Sequence, residues 1–123
     1  MAKATVLIID DDAELLDELS EFLGYSGYGV ATCSIATEAV GTARTSGPDI
    51  IIIDLLMPGK NGLQVVEELK TDPRTVNIPI LILSGCCDEE IGRKLARVNR
   101  FAGFLKKPTR PVEIVEAIER ALG

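Results

Sequence analysis

The 123-residue chain reads as a doubly wound α/β sandwich, and three observations carry that reading. Short apolar, branched runs recur at 5–9, 28–32, 50–53, 80–83 and 101–105, each followed by a stretch with helical spacing, which makes five strand-helix units. The first, third and fourth runs are apolar without interruption, as strands covered on both faces must be. The connections are short, so the strands are expected to lie parallel with right-handed crossovers. No linker, low-complexity segment or charge block divides the chain, so one domain is expected over residues 1–123.

The elements follow in order. The first strand runs into Asp10-Asp11-Asp12, and a helix is expected from 13 to 23, with Leu15, Leu16, Leu19, Phe22 and Leu23 on one side and Glu14, Asp17, Glu18 and Glu21 on the rest. Gly24 and Gly27 are expected to stop it. A second helix starts near Ser34, carries Ala36, Ala39, Val40 and Ala43, and closes at Gly47-Pro48. The third carries Leu63, Val66 and Leu69 and ends before Pro73. The fourth, 89–98, has only the thin stripe Ile91, Leu95 and Val98, which makes it the least securely packed. The last begins at Pro111, a good first helical position, and is expected to bury Val115, Ile118 and Leu122.

Composition narrows the function classes. With 46% hydrophobic residues the chain can build a core, and no run approaches the ~18 apolar residues of a membrane span. The N-terminus reaches acids at Asp10 instead of a basic region and a long apolar one, so no secretion signal is read and a cytoplasmic location is expected. Cys33, Cys86 and Cys87 lack metal-site spacing and are expected to be inert, reduced thiols. The chain has no histidine, which excludes a Ser-His-Asp or Cys-His mechanism and any phosphohistidine on this chain. Its net charge of -6 gives nucleic-acid binding no support. That imbalance sits in the first 21 residues, where seven acids face one lysine.

In a doubly wound sheet, ligands bind outside the carboxyl ends of the strands where strand order reverses. Here the first strand ends in the three aspartates, the third in Asp54, the fourth in Ser84-Gly85, and the fifth runs through Lys106 into Lys107-Pro108. Carboxylates forced together repel unless a cation or a shared proton compensates them. An all-oxygen set without His or Cys suggests Mg2+, with one or two carboxylates, waters and phosphate oxygens as ligands. An aspartate can itself be the nucleophile, while metal and lysine neutralise the transferring group, so the set fits phosphoryl transfer onto a carboxylate.

At these positions the chain resembles the receiver domain of two-component response regulators, over its whole length. The pieces that carry the resemblance are VLIIDDD at 6–12, DLLMPGKNG at 54–62, ILILSG at 80–85 and GFLKKP at 103–108. The resemblance implies a flavodoxin-like, chemotaxis-regulator-like fold with strand order 2-1-3-4-5. It makes Asp54 the phosphoacceptor, and gives Asp10, Asp11, Asp54 and the backbone carbonyl of Leu56 the Mg2+. It puts Ser84 at the hydroxyl switch position, Lys107 at the catalytic lysine position before a commonly cis Pro108, and Phe104 at the aromatic that swings inward when Ser84 moves. Lys106 is expected on the opposite strand face from Lys107. The implied phosphoryl donor is a sensor histidine kinase or a histidine phosphotransfer protein docking beside the acidic first helix. Leu56 and Cys86 stand where the family tunes hydrolysis; neither orients water readily, so a long-lived aspartyl phosphate is expected.

Plainer readings stand beside these. Asp12 is expected to cap the first helix through the free N–H groups there. From residue 91 to 112 there are seven bases, Arg93, Lys94, Arg97, Arg100, Lys106, Lys107 and Arg110, and no acid. The run reads as a solvated face, or as a surface of helix 4, strand 5 and helix 5 that docks an acidic partner or a second copy. Two other functions compete with the phosphoacceptor. One is an aspartate-nucleophile phosphohydrolase, suggested by Asp10-x-Asp12 but opposed by Glu14. The other is a receiver-shaped interaction module without phosphorylation. Neither nucleic acid nor membrane is an expected partner. The chain is either a stand-alone regulator or the receiver of a longer protein.

Overall fold

The computed structural model describes residues 3–85 and 89–123. Strands β1 (Thr5–Ile9), β2 (Gly29–Cys33), β3 (Ile50–Ile53), β4 (Ile80–Ser84) and β5 (Phe101–Lys106) alternate with helices α1 (Ala13–Tyr25), α2 (Ala39–Ser46), α3 (Gly62–Thr71), α4 (Glu89–Ala96) and α5 (Pro111–Leu122). The strands form one sheet in the order β2-β1-β3-β4-β5 with every pair parallel, as expected.

Side chains alternate across the sheet and feed two layers. Leu7, Ile9, Ile51, Ile53, Ile80 and Ile82 pack against α2, α3 and α4. Val6, Ile8, Ile50, Ile52, Leu81 and Leu83 pack against α1 and α5 through Leu16, Leu19, Leu23, Ile114, Ala117 and Ile118. The continuous apolarity of β1, β3 and β4 is thus used on both faces, each buried isoleucine or leucine contributing about 1.5–3 kcal/mol.

Several boundaries differ from the expectation. β2 lies one residue later, at Gly29–Cys33, and Tyr28 is buried just before it. α1 continues through Gly24 to Tyr25 and is closed by backbone bonds onto Phe22 and Gly24, so one helical glycine does not end it. α2 is entered through a 3-10 turn at Ala36–Glu38. α4 ends at Ala96, two residues early, and Val98 lies in the turn leading to β5. On α5 the core-facing residues are Ile114, Ala117 and Ile118, while Val115 is half-buried and Leu122 is 40% exposed.

β5 is an edge strand with an irregularity. Phe101 pairs with Ile80 and Gly103 with Leu81, so Ala102 is an extra residue, a β-bulge that Gly103 accommodates at φ 136°. The bulge puts Phe101 and Phe104 in the same layer, with α3 and α4, although three residues separate them in sequence. Regular alternation would have sent them to opposite faces.

Candidate functional site

Strand order reverses between β2-β1 and β1-β3, so the carboxyl ends of β1 and β3 flank the crevice, and each ends in an aspartate. Asp10 is 1% and Asp54 6% exposed, while Asp11 is solvent-exposed. The backbone holds both buried acids: Asp10 N donates to Cys33 O at 3.0 Å and Asp54 N to Ile9 O at 3.0 Å. Their side chains are also tied, Asp12 N donating to Asp10 Oδ1 at 3.0 Å and Leu56 N to Asp54 Oδ1 at 3.2 Å. Carboxylate oxygens of Asp10, Asp11 and Asp54 lie within 4.8 Å of one another.

Lys107 reaches this cluster from just beyond β5. Its Nζ donates to Asp10 Oδ2 at 2.7 Å and Asp54 Oδ2 at 3.3 Å, and its backbone N–H donates to Ser84 O at 3.0 Å, anchoring it to β4. The Lys107-Pro108 bond is cis. Burial pushes the Asp10 carboxyl above the usual carboxylate range, although the Lys107 ammonium and the Asp12 N–H pull the other way. Burial alone would lower Lys107, but Asp10 and Asp54 outweigh it and hold the ammonium above the ordinary lysine range. One ammonium therefore faces three carboxylates, a net negative pocket suited to a hard cation and not to a soft one.

Ser84 is fully buried at the end of β4. By alternation it shares the face of Ile82, whose partner across the ladder is the half-buried Phe104, so the hydroxyl and the aromatic are diagonal neighbours on the α4 side. Lys106 is exposed and takes no part in the cluster. Asp12 caps α1, its Oδ1 accepting from Glu14 N and Leu15 N. Leu56 is 58% exposed beside the acids. Cys33 is a buried free thiol, while Cys86 and Cys87 lie outside the described residues.

The basic run from 91 to 112 is divided by the fold. Lys107 enters the acidic cluster, Arg93 and Lys94 reach back to Glu89 and Glu90 along α4, and Arg110 pairs with Glu113.

Known proteins match this arrangement. The model of the response regulator receiver domain matches residues 6–119. The chain belongs to that family. This receiver is 33% identical over 116 residues to hybrid signal transduction histidine kinase D of Dictyostelium discoideum, covering 94% of this chain and 7% of the kinase. It is 30% identical over 117 residues to the DNA-binding response regulator MtrA of Mycobacterium tuberculosis, covering 95% of this chain and 50% of MtrA. The receiver thus spans half or less of these two curated relatives. The solved structure of the chemotaxis protein CheY4 of Vibrio cholerae superposes with a TM-score of 0.89 at 30% identity, covering 98% of this chain and 100% of that one. The non-phosphorylated HemR receiver domain of Leptospira biflexa gives 0.88 at 25% identity, covering 98% and 95%. The chain is a receiver domain of two-component systems, a family of regulatory signalling modules. Among the described residues no helix is long and apolar enough to cross a membrane.

One residue that shapes the site escaped the sequence reading. Gly62 opens α3 against the back of the Asp54 peptide: a Cβ there would lie 2.2 Å from Asp54 O and 2.6 Å from Leu55 Cα. Its N–H donates to Leu55 O at 2.9 Å, and the helix is started by a capping box between Asn61 and Gln64. The Asn-Gly-x-Gln spacing was the available signal.

Proposed function

We propose that this receiver takes a phosphoryl group on Asp54 from a phosphohistidine of a sensor histidine kinase or a histidine phosphotransfer protein. A P–O bond forms at an Asp54 carboxylate oxygen while the donor's P–N bond breaks and the imidazole leaves. The observation that carries the reading is the cluster of three carboxylates within 4.8 Å of one another, with a lysine held between the two buried ones.

The donor set fits Mg2+, with Asp10, Asp11, Asp54 and the Leu56 backbone carbonyl to hold it. That carbonyl accepts no hydrogen bond from the other described residues. Bound there, the metal supplies charge neutralisation for the phosphoryl oxygens. The protein's own groups do the rest. The backbone and Lys107 fix Asp54, Lys107 then neutralises a phosphoryl oxygen once Asp54 is modified, and Ser84 offers a hydroxyl from the adjacent strand end. Movement of Ser84 toward the phosphoryl group frees space on the α4 side that Phe104 fills, which carries the change to α4, β5 and α5 as the output surface for an acidic partner or a second copy. In this reading the domain assists its own phosphorylation and dephosphorylation.

The test is intact mass after incubation with Mg2+ and a small acyl phosphate. One adduct of phosphoryl mass per chain, absent in Asp54→Asn, is expected. No adduct in the wild type would make the domain a phosphorylation-independent interaction module.

A further inference from the structure

The chain has three asparagines, Asn61, Asn77 and Asn99, and only Asn61 is followed by glycine. An Asn-Gly pair is chemically fragile, because no Cβ hinders attack of the glycine nitrogen on the side-chain amide carbon and glycine samples backbone conformations closed to other residues. Neither residue is free to change here: Asn61 is the N-cap of α3, and a Cβ at Gly62 would lie 2.2 Å from Asp54 O. The fold demands the pair, and its local geometry holds the reaction off. Gly62 N–H donates to Leu55 O at 2.9 Å, so the nucleophilic nitrogen is engaged. Asn61 Oδ1 accepts from Gln64 N at 2.9 Å and Gln64 Oε1 accepts from Asn61 N at 3.1 Å, which fixes the amide that would be attacked. Closing a five-membered ring requires Asn61 Cβ and Gly62 N to come near eclipse about the Cα–C bond, and the Asn61 ψ of 160° holds them far from it. Asn61 itself is exposed, so water reaches it and ammonia can leave once the turn opens.

We propose that Asn61 is a modification site gated by opening of the first turn of α3, where spontaneous deamidation converts it to isoaspartate or aspartate. In the open turn the Gly62 nitrogen loses its proton to solvent base and bonds to Asn61 Cγ, and the side-chain nitrogen leaves as ammonia. Water then opens the succinimide. Breaking the new bond between Gly62 N and Cγ gives aspartate, and breaking the original bond between Gly62 N and the backbone carbonyl carbon gives isoaspartate. The two products act differently on the fold. Aspartate caps a helix as well as asparagine does, and its charge suits the helix N-terminus. Isoaspartate lengthens the main chain by a methylene between the cap and Gly62, which the close fit of Gly62 on the Asp54 and Leu55 backbone does not accommodate. Asn77 and Asn99 precede Ile78 and Arg100, whose Cβ atoms hinder the same attack. The chemistry uses no residue of the acidic cluster, so it stands or falls apart from the phosphoacceptor reading.

The test ages the full chain at mildly alkaline pH, in native buffer and in guanidinium, and follows it by intact mass, peptide mapping and labelling with a protein isoaspartate methyltransferase. Replacement of an amide NH2 by OH at Asn61 is expected in both, roughly tenfold or more slower in native buffer. Gln64→Ala removes one arm of the capping box at an exposed position, and should speed the native reaction about threefold while leaving the denatured rate unchanged. The isoaspartate fraction, separated by ion exchange, should unfold at a lower temperature than fresh protein, whereas Asn61→Asp should unfold no lower. Equal rates in the two buffers would overturn the gating, and so would a native rate unmoved by Gln64→Ala. Modification of Asn77 or Asn99 ahead of Asn61, or an isoaspartate fraction as stable as fresh protein, would overturn the proposal as well.

Discussion

At the scale of single residues, the site depends on two residues that carry no charge. Leu56 exposes an apolar surface beside Asp54, where a polar side chain could steer water toward a bound phosphoryl group. Leu56→Asn is therefore expected to speed loss of the phosphoryl group roughly tenfold, short of the ~10²-fold or more that a true general base supplies. The decay of the adduct after donor removal measures it, and an unchanged lifetime would refute the role. Gly62 matters for the opposite reason, since it must have no side chain at all. The atoms a methyl group would strike are backbone, at 2.2 Å and 2.6 Å, and cannot swing aside. Gly62→Ala should cost about 3 kcal/mol in urea denaturation, at the top of the usual range for overpacking, and should slow phosphorylation by moving the Asp54 peptide.

At the scale of elements, the loop between α3 and β4 is tied down by groups that sequence patterns do not reveal. Lys70 Nζ donates to Val76 O at 2.9 Å and to Ile78 O at 2.7 Å, and Asn99 Nδ2 donates to the same Val76 O at 2.9 Å. Burial, and next the Arg100 charge, lower the Lys70 pKa to about 8. The unfolded chain then binds more protons than the folded one between about pH 8 and the ordinary lysine value, so stability rises with pH across that window. Urea midpoints at neutral and alkaline pH should show a larger alkaline gain in the wild type than in Lys70→Met; equal gains would contradict the linkage. The strands and the Asp10, Asp54 and Lys107 placements were legible because burial on both faces writes itself as unbroken apolar runs, and strand ends bring those residues to one edge. The Lys70 tether was not, because its acceptors are loop carbonyls whose positions depend on where the loop lands. The Ala102 bulge does not show in a period-two pattern, although Gly103 inside the run marks the irregularity. The last turn of α5 differs for a simpler reason: helical spacing tells which residues share a face, not which of them the fold covers.

At the scale of the whole molecule, the charge is polarised. Acids gather at the pocket and along α1, while Arg97 and Arg100, without an ion pair among the described residues, stand at the entrance of β5. Folding without a metal therefore holds the three carboxylates together against their repulsion, and a divalent cation should stabilise the native state selectively. Mg2+ at a hundred times its Kd should add ~2.7 kcal/mol, seen as a raised thermal midpoint that sodium at equal ionic strength does not reproduce. Asp11→Asn, at an exposed position, should shrink that rise while leaving the metal-free midpoint nearly unchanged. The bulged β5 has a further consequence for how the molecule behaves in a crowd. An edge strand interrupted by an extra residue and carrying Lys106 is a poor template for another strand. The opposite edge has no such guard: β2 pairs in unbroken register with β1, and its five residues, Gly29–Cys33, include no charge and no proline. If the sheet is ever extended by a neighbouring chain, it will grow from β2, and a lysine placed at the exposed Thr32 is the substitution that should keep concentrated protein from aggregating.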